Sequence, residues 1–233
     1  MPALFEGARK NWKYVAKAIL FSIVFWLAQF SYQFFFFSAG NIQLSLVRSF
    51  SFTGTTLIAL ALLAGPFALF FPKRSFVVHR RTIGVIGFGY VLLHITAALN
   101  FVFGADLSKA YFSLDPFENA VVFGGLAQIL FFPVWLSSTD WAVQKLGYKN
   151  WKTVHRLVYF GFIFSIAHFS RMNVQAILSP PGLLLAAATI LAIVFQLAGF
   201  ARTLQRKKSL LAAIMGLLII LFGLVLLSLV FSR

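Results

Sequence analysis

Apolar residues in this chain come in long runs rather than in the alternating or one-sided stripes of water-facing elements. Stretches free of Asp, Glu, Lys and Arg cover 18–47, 49–72, 82–105, 119–139, 172–201 and 209–232. Each holds the roughly 20 residues a helix needs to cross about 30 Å of hydrocarbon. A seventh run, 157–170, is shorter, about 21 Å at ~1.5 Å per residue. Its span therefore begins near Asn150, with Lys152 and Arg156 reaching back to the surface. The pattern predicts helices over 14–38, 50–72, 80–104, 119–138, 150–170, 181–203 and 208–231. The expected fold is all-α and integral to the membrane: a six-helix bundle occupying 1–206, followed by a seventh transmembrane helix in 207–233.

Punctuation supports this map. Pro180 and Pro181 open the sixth span, where a missing N–H costs nothing, while Pro66 and Pro133 fall inside spans and predict kinks. The longest outer connector, 104–119, is polar enough for a loop with a short interfacial turn. The inner connector 137–150 suits an amphipathic turn ending at Gly147. "FFFF" at 34–37 reads as a lipid-facing or interfacial aromatic run. The last span offers nothing for chemistry and reads as a packing or anchoring element. The first span has no cleavage site behind it and reads as retained.

Composition agrees, with 61% hydrophobic and 11% charged residues and a mean hydropathy of +0.90. The formal charge of +15 is explained by its placement. Sixteen of the twenty basic residues cluster before span one, between spans two and three, between four and five, and between six and seven. Arg48, Lys109, Arg171 and Arg233 fall on the other side, with Asp106, Asp115 and Glu118. The positive-inside rule then places the N-terminus in the cytoplasm and the C-terminus outside, in a cell (inner) membrane. Basic residues facing anionic lipid need no nucleic acid as partner. The absence of cysteine excludes disulfides, thiolate metal sites, iron–sulfur clusters and cysteine-linked haem.

Ionisable residues inside a membrane are functional hypotheses by default. His94 lies roughly 20 Å into span three from the cytoplasmic end, and His168 somewhat over 25 Å into the parallel span five. Two facing imidazoles at similar depth suit a six-coordinate b-type haem. Zinc or copper would require further ligands that the spans do not offer. His155 lies about 20 Å nearer the cytoplasm than His168, and thirteen steps of ~100° turn the two to different faces of an ideal helix. It serves either a second haem, through irregular winding, or a propionate or flavin. Arg80, Arg81 and Arg156 stand where inner haem propionates or a flavin phosphate would lie, and also serve as topology determinants. Trp151 and Tyr159 read as packing or interfacial residues.

The segment "LSSTDWAVQKLGYKNWKTVHRLVYFGFIFSIAH", with "RRTIGVIGFGYVLLH" and "SFTGTTLIALALLAGPFALF", resembles the ferric reductase-like transmembrane domain. In particular it is similar to the haem-binding membrane subunit of the periplasmic methionine-sulfoxide reductase system. The resemblance covers about 48–171 and matches the LGxxWxxLH motif, the following VY and the histidine 13 residues on. It implies a cytochrome b-type bundle with haem b, one or two per chain, ligated by His94, His155 and His168. It also implies electron transfer across the membrane to an extracytoplasmic redox partner. Larger ferric reductases and NADPH oxidases hold a second haem through another span-three histidine. His79, about 60° from the position of His94 by fifteen helical steps, is the matching candidate opposite His155, although the subfamily does not usually place histidine there.

No flavin or nicotinamide domain is legible, and "GVIGFG" at 84–89 lies in a span rather than after a strand. The expected donor is a quinol or a cytoplasmic flavoprotein, so FMN or quinone joins haem among the cofactors considered. The alternatives are a ferric or superoxide-generating reductase, and a helical scaffold or transporter subunit with no redox role.

Overall fold

The computed structural model describes residues 12–70, 74–172 and 174–207, and within them every regular element is helical. In chain order these are α1 (Trp12–Tyr32), a π-helical turn (Gln33–Phe37), α2 (Ile42–Phe70) and α3 (Arg74–Phe101). The short α4 (Leu107–Ala110), α5 (Val121–Leu136), α6 (Asp140–His155), α7 (Leu157–Met172), the short α8 (Val174–Ile177) and α9 (Pro180–Lys207) follow. Among the described residues, four helical stretches are long and apolar enough to cross a membrane: Tyr14–Phe37, Ile42–Phe67, His79–Phe101 and Pro180–Gly199. Val121–Leu136 with Asp140–Met172 makes a fifth apolar unit, bent by 106°. The expected seventh span, 208–231, lies outside the described residues.

α2 is the centre of the molecule. Of its apolar window 67% is buried, against 28% or less in the other three long spans. Ile58, Ala59 and Leu62 of α2 share one core with Phe88 of α3, Ala127 and Phe131 of α5, Phe162 of α7, and Ala188 and Ala192 of α9. That one cluster takes residues from five helices makes them a single bundle.

Close approach depends on two glycines. A Cβ on Gly54 would lie 2.9 Å from Gly87 O, and one on Gly87 would lie 3.0 Å from Gly54 O. Backbone cannot yield as a side chain can, so α2 and α3 touch here only because neither residue carries a Cβ. The "GVIGFG" run thus sits wholly within α3.

The corner around 137–157 departs from the sequence pattern. The run 150–170, expected as one helix, is divided at Arg156, whose amide donates to Thr153 O at 3.1 Å in a tightened turn. Thirteen steps of an ideal helix therefore do not relate His155 to His168. The expected break at Gly147 is present, with φ +71 and ψ 151 inside α6. Thr139 caps that helix, its Oγ1 accepting from Ala142 N at 3.1 Å. Pro180 opens α9 as expected, after Ser179, whose Oγ accepts from Gly182 N. In the "FFFF" run Phe35 and Phe36 are exposed, while the Phe37 ring lies under the Arg48 guanidinium at 4.9 Å.

Candidate functional site: a histidine pair between α3 and α7

His94 and His168 come together. Their ring centroids are 6.2 Å apart with planes inclined by 61°. The Nδ1–H of His94 donates to Val47 O of α2 at 2.9 Å. The Nδ1–H of His168 donates to Ala120 O, at the foot of α5, at 2.8 Å. A carbonyl oxygen can only accept, so each Nδ1 carries the proton and each Nε2 is an unprotonated lone pair. Neither Nε2 has a hydrogen-bond partner among the described residues. This is the tautomer of a metal-ligating histidine, with its outer partner already supplied.

The separation tests what the pair can hold. Two metal–nitrogen bonds of about 2 Å, plus about 1.1 Å from each nitrogen to its ring centre, predict roughly 6 Å between centroids. No group of three or more His, Cys, Asp or Glu that could hold a bare metal ion occurs among the described residues. Two imidazoles would fit haem, whose macrocycle would bring the remaining ligands, and would leave zinc or copper short.

Several contributors to this site carry no sequence signal. Val47 and Ala120 act through backbone carbonyls. A Cβ on Gly124 would lie 3.2 Å from His168 Nδ1, so this glycine leaves room for the ring. On the same rim, Arg48 donates to Phe37 O and Ser38 Oγ, each at 3.2 Å, and Arg171 donates to Phe117 O at 2.6 Å. The connector that ends at Ala120, the carbonyl partner of His168, is held by its own hydrogen bonds. The buried Asn119 donates to Ala110 O and Ser113 O, and Asp106 caps α4. The hydroxyl and amide of Ser108, with the Lys109 amide, hold the Asp106 carboxyl below its ordinary range.

His155 occupies a different setting at the opposite end of α7. Its ring packs against Trp151, with centroids 4.0 Å apart and planes tilted by 35°. Nδ1 lies 3.2 Å from Trp151 O and 3.5 Å from Ser137 Oγ, and Nε2 lies 3.3 Å from Ser138 Oγ. Both nitrogens are therefore engaged by the chain. Trp151 Nε1 donates to Ser137 O at 3.0 Å, which holds the indole against the His155 ring. Arg80 and Arg81 stand close enough to act electrostatically on His155. Arg81 also donates to Ser138 O at 2.6 Å and pairs with Asp140, latching α6 to α3. Arg80 lies over Gly65, where a Cβ would come within 2.6 Å of its guanidinium. Arg156 is exposed. His79 packs edge-on against Tyr14 at 5.2 Å, and among the described residues it makes no ring contact with His155.

Comparison with known proteins places this geometry in context. The family model "Ferric reductase like transmembrane component" matches residues 50–166, half of the chain, and reaches from α2 to within two residues of His168. A protein of Agrobacterium fabrum named "Protein-methionine-sulfoxide reductase heme-binding subunit MsrQ" is 32% identical over 107 residues, which is 46% of this chain and 48% of the relative. The protein of the same name from Brucella ovis is 32% identical over 93 residues, 39% of this chain and 40% of its own. The matched region thus spans about half or less of these curated relatives. No solved structure matches.

Proposed function

This chain belongs to the ferric reductase-like transmembrane component family, and from that premise we propose that it is a membrane cytochrome b that passes electrons from an inner-side donor to an outer-side acceptor. The observation that carries the reading is the His94–His168 pair, with rings 6.2 Å apart and both Nδ1–H groups on backbone carbonyls. A haem held there supplies a one-electron carrier. The chain's own residues do the rest. Val47 and Ala120 fix the two tautomers, and Gly124 leaves space for His168. The bundle is proposed as six membrane helices with a seventh following, its basic ends in the cytoplasm.

At the inner end, His155, Arg80, Arg81 and Arg156 form the proposed docking point for the donor, a quinol or the phosphate-bearing flavin of a cytoplasmic flavoprotein. The outer partner is proposed as a methionine-sulfoxide reductase, by analogy with the names of the MsrQ relatives. A second haem on His155 and His79 is the other reading of the inner end, and it requires the Ser138 hydroxyl to give up Nε2. A ferric or superoxide-type reductase would use the same histidine pair and differ only in acceptor.

The test is the absorption spectrum of detergent-purified protein, oxidised and then reduced with dithionite, with haem counted per chain. Wild type is expected to give reduced b-type bands of a low-spin haem. His94→Ala and His168→Ala are each expected to abolish the low-spin spectrum. His155→Ala leaves one haem intact if the inner end is a donor site and removes one of two if it ligates iron. A chain that stays colourless after haem reconstitution would leave only the non-redox scaffold.

A further inference from the structure

α6 reads DWAVQKLGYKNWKTVH, a polar helix set between the apolar α5 and α7. Those two neighbours run antiparallel, since Gly161 of α7 lies against Ala127 and Phe131 of α5 while His168 lies against Gly124. The charge-free runs 119–139 and 157–170 therefore end at the same level of the bundle, and α6 joins them there. In a multi-pass membrane protein that level is the edge of the hydrocarbon.

What α6 exposes at that level combines rings and cations. Trp141 is 68% exposed and Tyr148 58%, and Lys145, Lys149 and Lys152 are exposed as well. Trp151 of the same helix, by contrast, is turned in, with its indole N–H on Ser137 O. On either side of the Gly147 break, a ring is followed by a lysine four residues on. Trp141 precedes Lys145, and Tyr148 precedes Lys152, whose Nζ stands 6.0 Å from the phenol ring centre. Positions four apart share a helix face. The one carboxylate of α6, Asp140, is taken by Arg81. Among the described residues, no ion pair engages Lys145, Lys149 or Lys152. The four basic segments assigned to this side hold sixteen basic residues and two acidic ones, Glu6 and Asp140. The chain therefore lacks the anions to balance these lysines. Anionic phospholipid supplies both halves of what is missing: phosphate for the ammonium groups, and a glycerol layer where indole and phenol rings settle. An acidic protein would meet the lysines, but at this level it would have to displace lipid to cover the rings.

We infer that α6 is an interfacial helix that binds the headgroups of anionic phospholipid, with Lys145, Lys149 and Lys152 on the phosphates and Trp141 and Tyr148 seated in the glycerol layer. Asp140, latched to Arg81, begins this helix, and Trp151, packed on His155, lies in its last turn. Lipid bound along α6 thus ties the His155 corner to the membrane surface. The inference needs only that α5 and α7 lie in a bilayer, and it stands whether or not the histidine pair holds haem.

Native mass spectrometry of the purified full chain, titrated with phosphatidylglycerol or with phosphatidylcholine of the same acyl chains, counts bound lipid. The unsubstituted protein is expected to bind phosphatidylglycerol several-fold more tightly. Lys145→Gln with Lys149→Gln should lower that affinity several-fold and leave phosphatidylcholine unchanged. Lys17→Gln with Lys109→Gln, an equal loss of exposed charge away from α6, should keep it. No loss, or equal losses in both double variants, would overturn the inference. So would displacement of the lipid by millimolar glycerol phosphate, the mark of a site for soluble anions. Because the chain has no cysteine, Leu146→Cys can carry a single nitroxide in liposomes. Its collisions with oxygen, which concentrates in lipid, are compared with those of a water-soluble nickel chelate. They are expected to place the label nearer to one at Val24→Cys, on the exposed apolar side of α1, than to a free nitroxide in buffer. A label as open to nickel as the free probe would set α6 clear of the bilayer and sink the idea.

Discussion

An imidazole ligates a metal through its unprotonated nitrogen, so a histidine's fitness as a ligand is decided by what holds its other nitrogen. His94 and His168 each have Nδ1 on a carbonyl and Nε2 open, whereas His155 has both nitrogens engaged. Gly124 tests how finely this is set. Its Cβ would press on His168 Nδ1 at 3.2 Å, and the ring cannot retreat without stretching its bond to Ala120 O. Alanine in a helix interior is favoured over glycine by about 1 kcal/mol, so Gly124→Ala should leave the apoprotein's melting temperature unchanged or slightly raised. Haem affinity should fall by on the order of tenfold, about 1.4 kcal/mol, measured by haem titration with the reduced spectrum as readout. Parallel losses of stability and affinity would reduce Gly124 to a packing position. The histidines themselves were legible because charge-free runs isolate them. The carbonyls of Val47 and Ala120 were not, since every residue has one and only the fold selects which is used.

At the scale of the element, the positions of the prolines were readable but the consequence of Pro66 was not. Proline has no N–H, so Leu62 O, four residues earlier in α2, loses its helical donor. Gln196 of α9 replaces it, with Nε2 donating to Leu62 O at 3.0 Å and Oε1 accepting from the Tyr159 hydroxyl at 3.4 Å. One side chain thereby joins α2, α7 and α9 inside the bundle. Gln196→Leu should cost about 1 kcal/mol, between the modest yield of hydrogen bonds in membranes and the penalty of an orphaned carbonyl. In a Pro66→Ala background, where residue 66 again donates to Leu62 O, the same substitution should cost far less. Thermal unfolding of the four proteins in one detergent closes the cycle, and equal costs in both backgrounds would remove Gln196 from this role. Helix existence followed from hydropathy because lipid permits little else. At the 106° bend, Arg81 of α3 donates to Ser138 O, 57 residues further along the chain, and pairs with Asp140 of α6, contacts no local pattern encodes.

For the whole molecule, the two candidate centres lie at opposite ends. His168 is four residues from the end of α7 and His94 seven from the end of α3, about 6 Å and 10 Å along their axes at ~1.5 Å per residue. His155 precedes α7, some 20 Å away by the same measure. The proposed orientation rests on the sixteen-to-four division of basic residues, which would put the His155 end in the cytoplasm. That end carries Arg80, Arg81, Lys152 and Arg156, and under the proposed function it would attract an anionic donor or an acidic reductase. The connector 104–119, proposed to lie outside, carries Asp106, Asp115 and Glu118. A single haem at the proposed pair would not bridge a hydrocarbon core of about 30 Å, so the proposed function requires a donor that reaches past His155 or a second carrier there. Electrons should therefore enter only from the basic face. Proteoliposomes of uniform orientation, verified by protease, would hold a membrane-impermeant oxidant on one side and reduced flavin on the other. Oxidation is expected when the reductant meets the basic face and not in the reverse arrangement. Replacing Arg80 and Arg81 together by glutamine should slow the inward-facing reaction and weaken its dependence on ionic strength, since the steering charge is removed. Equal rates from both faces of an intact bilayer would keep the haem but take away the direction.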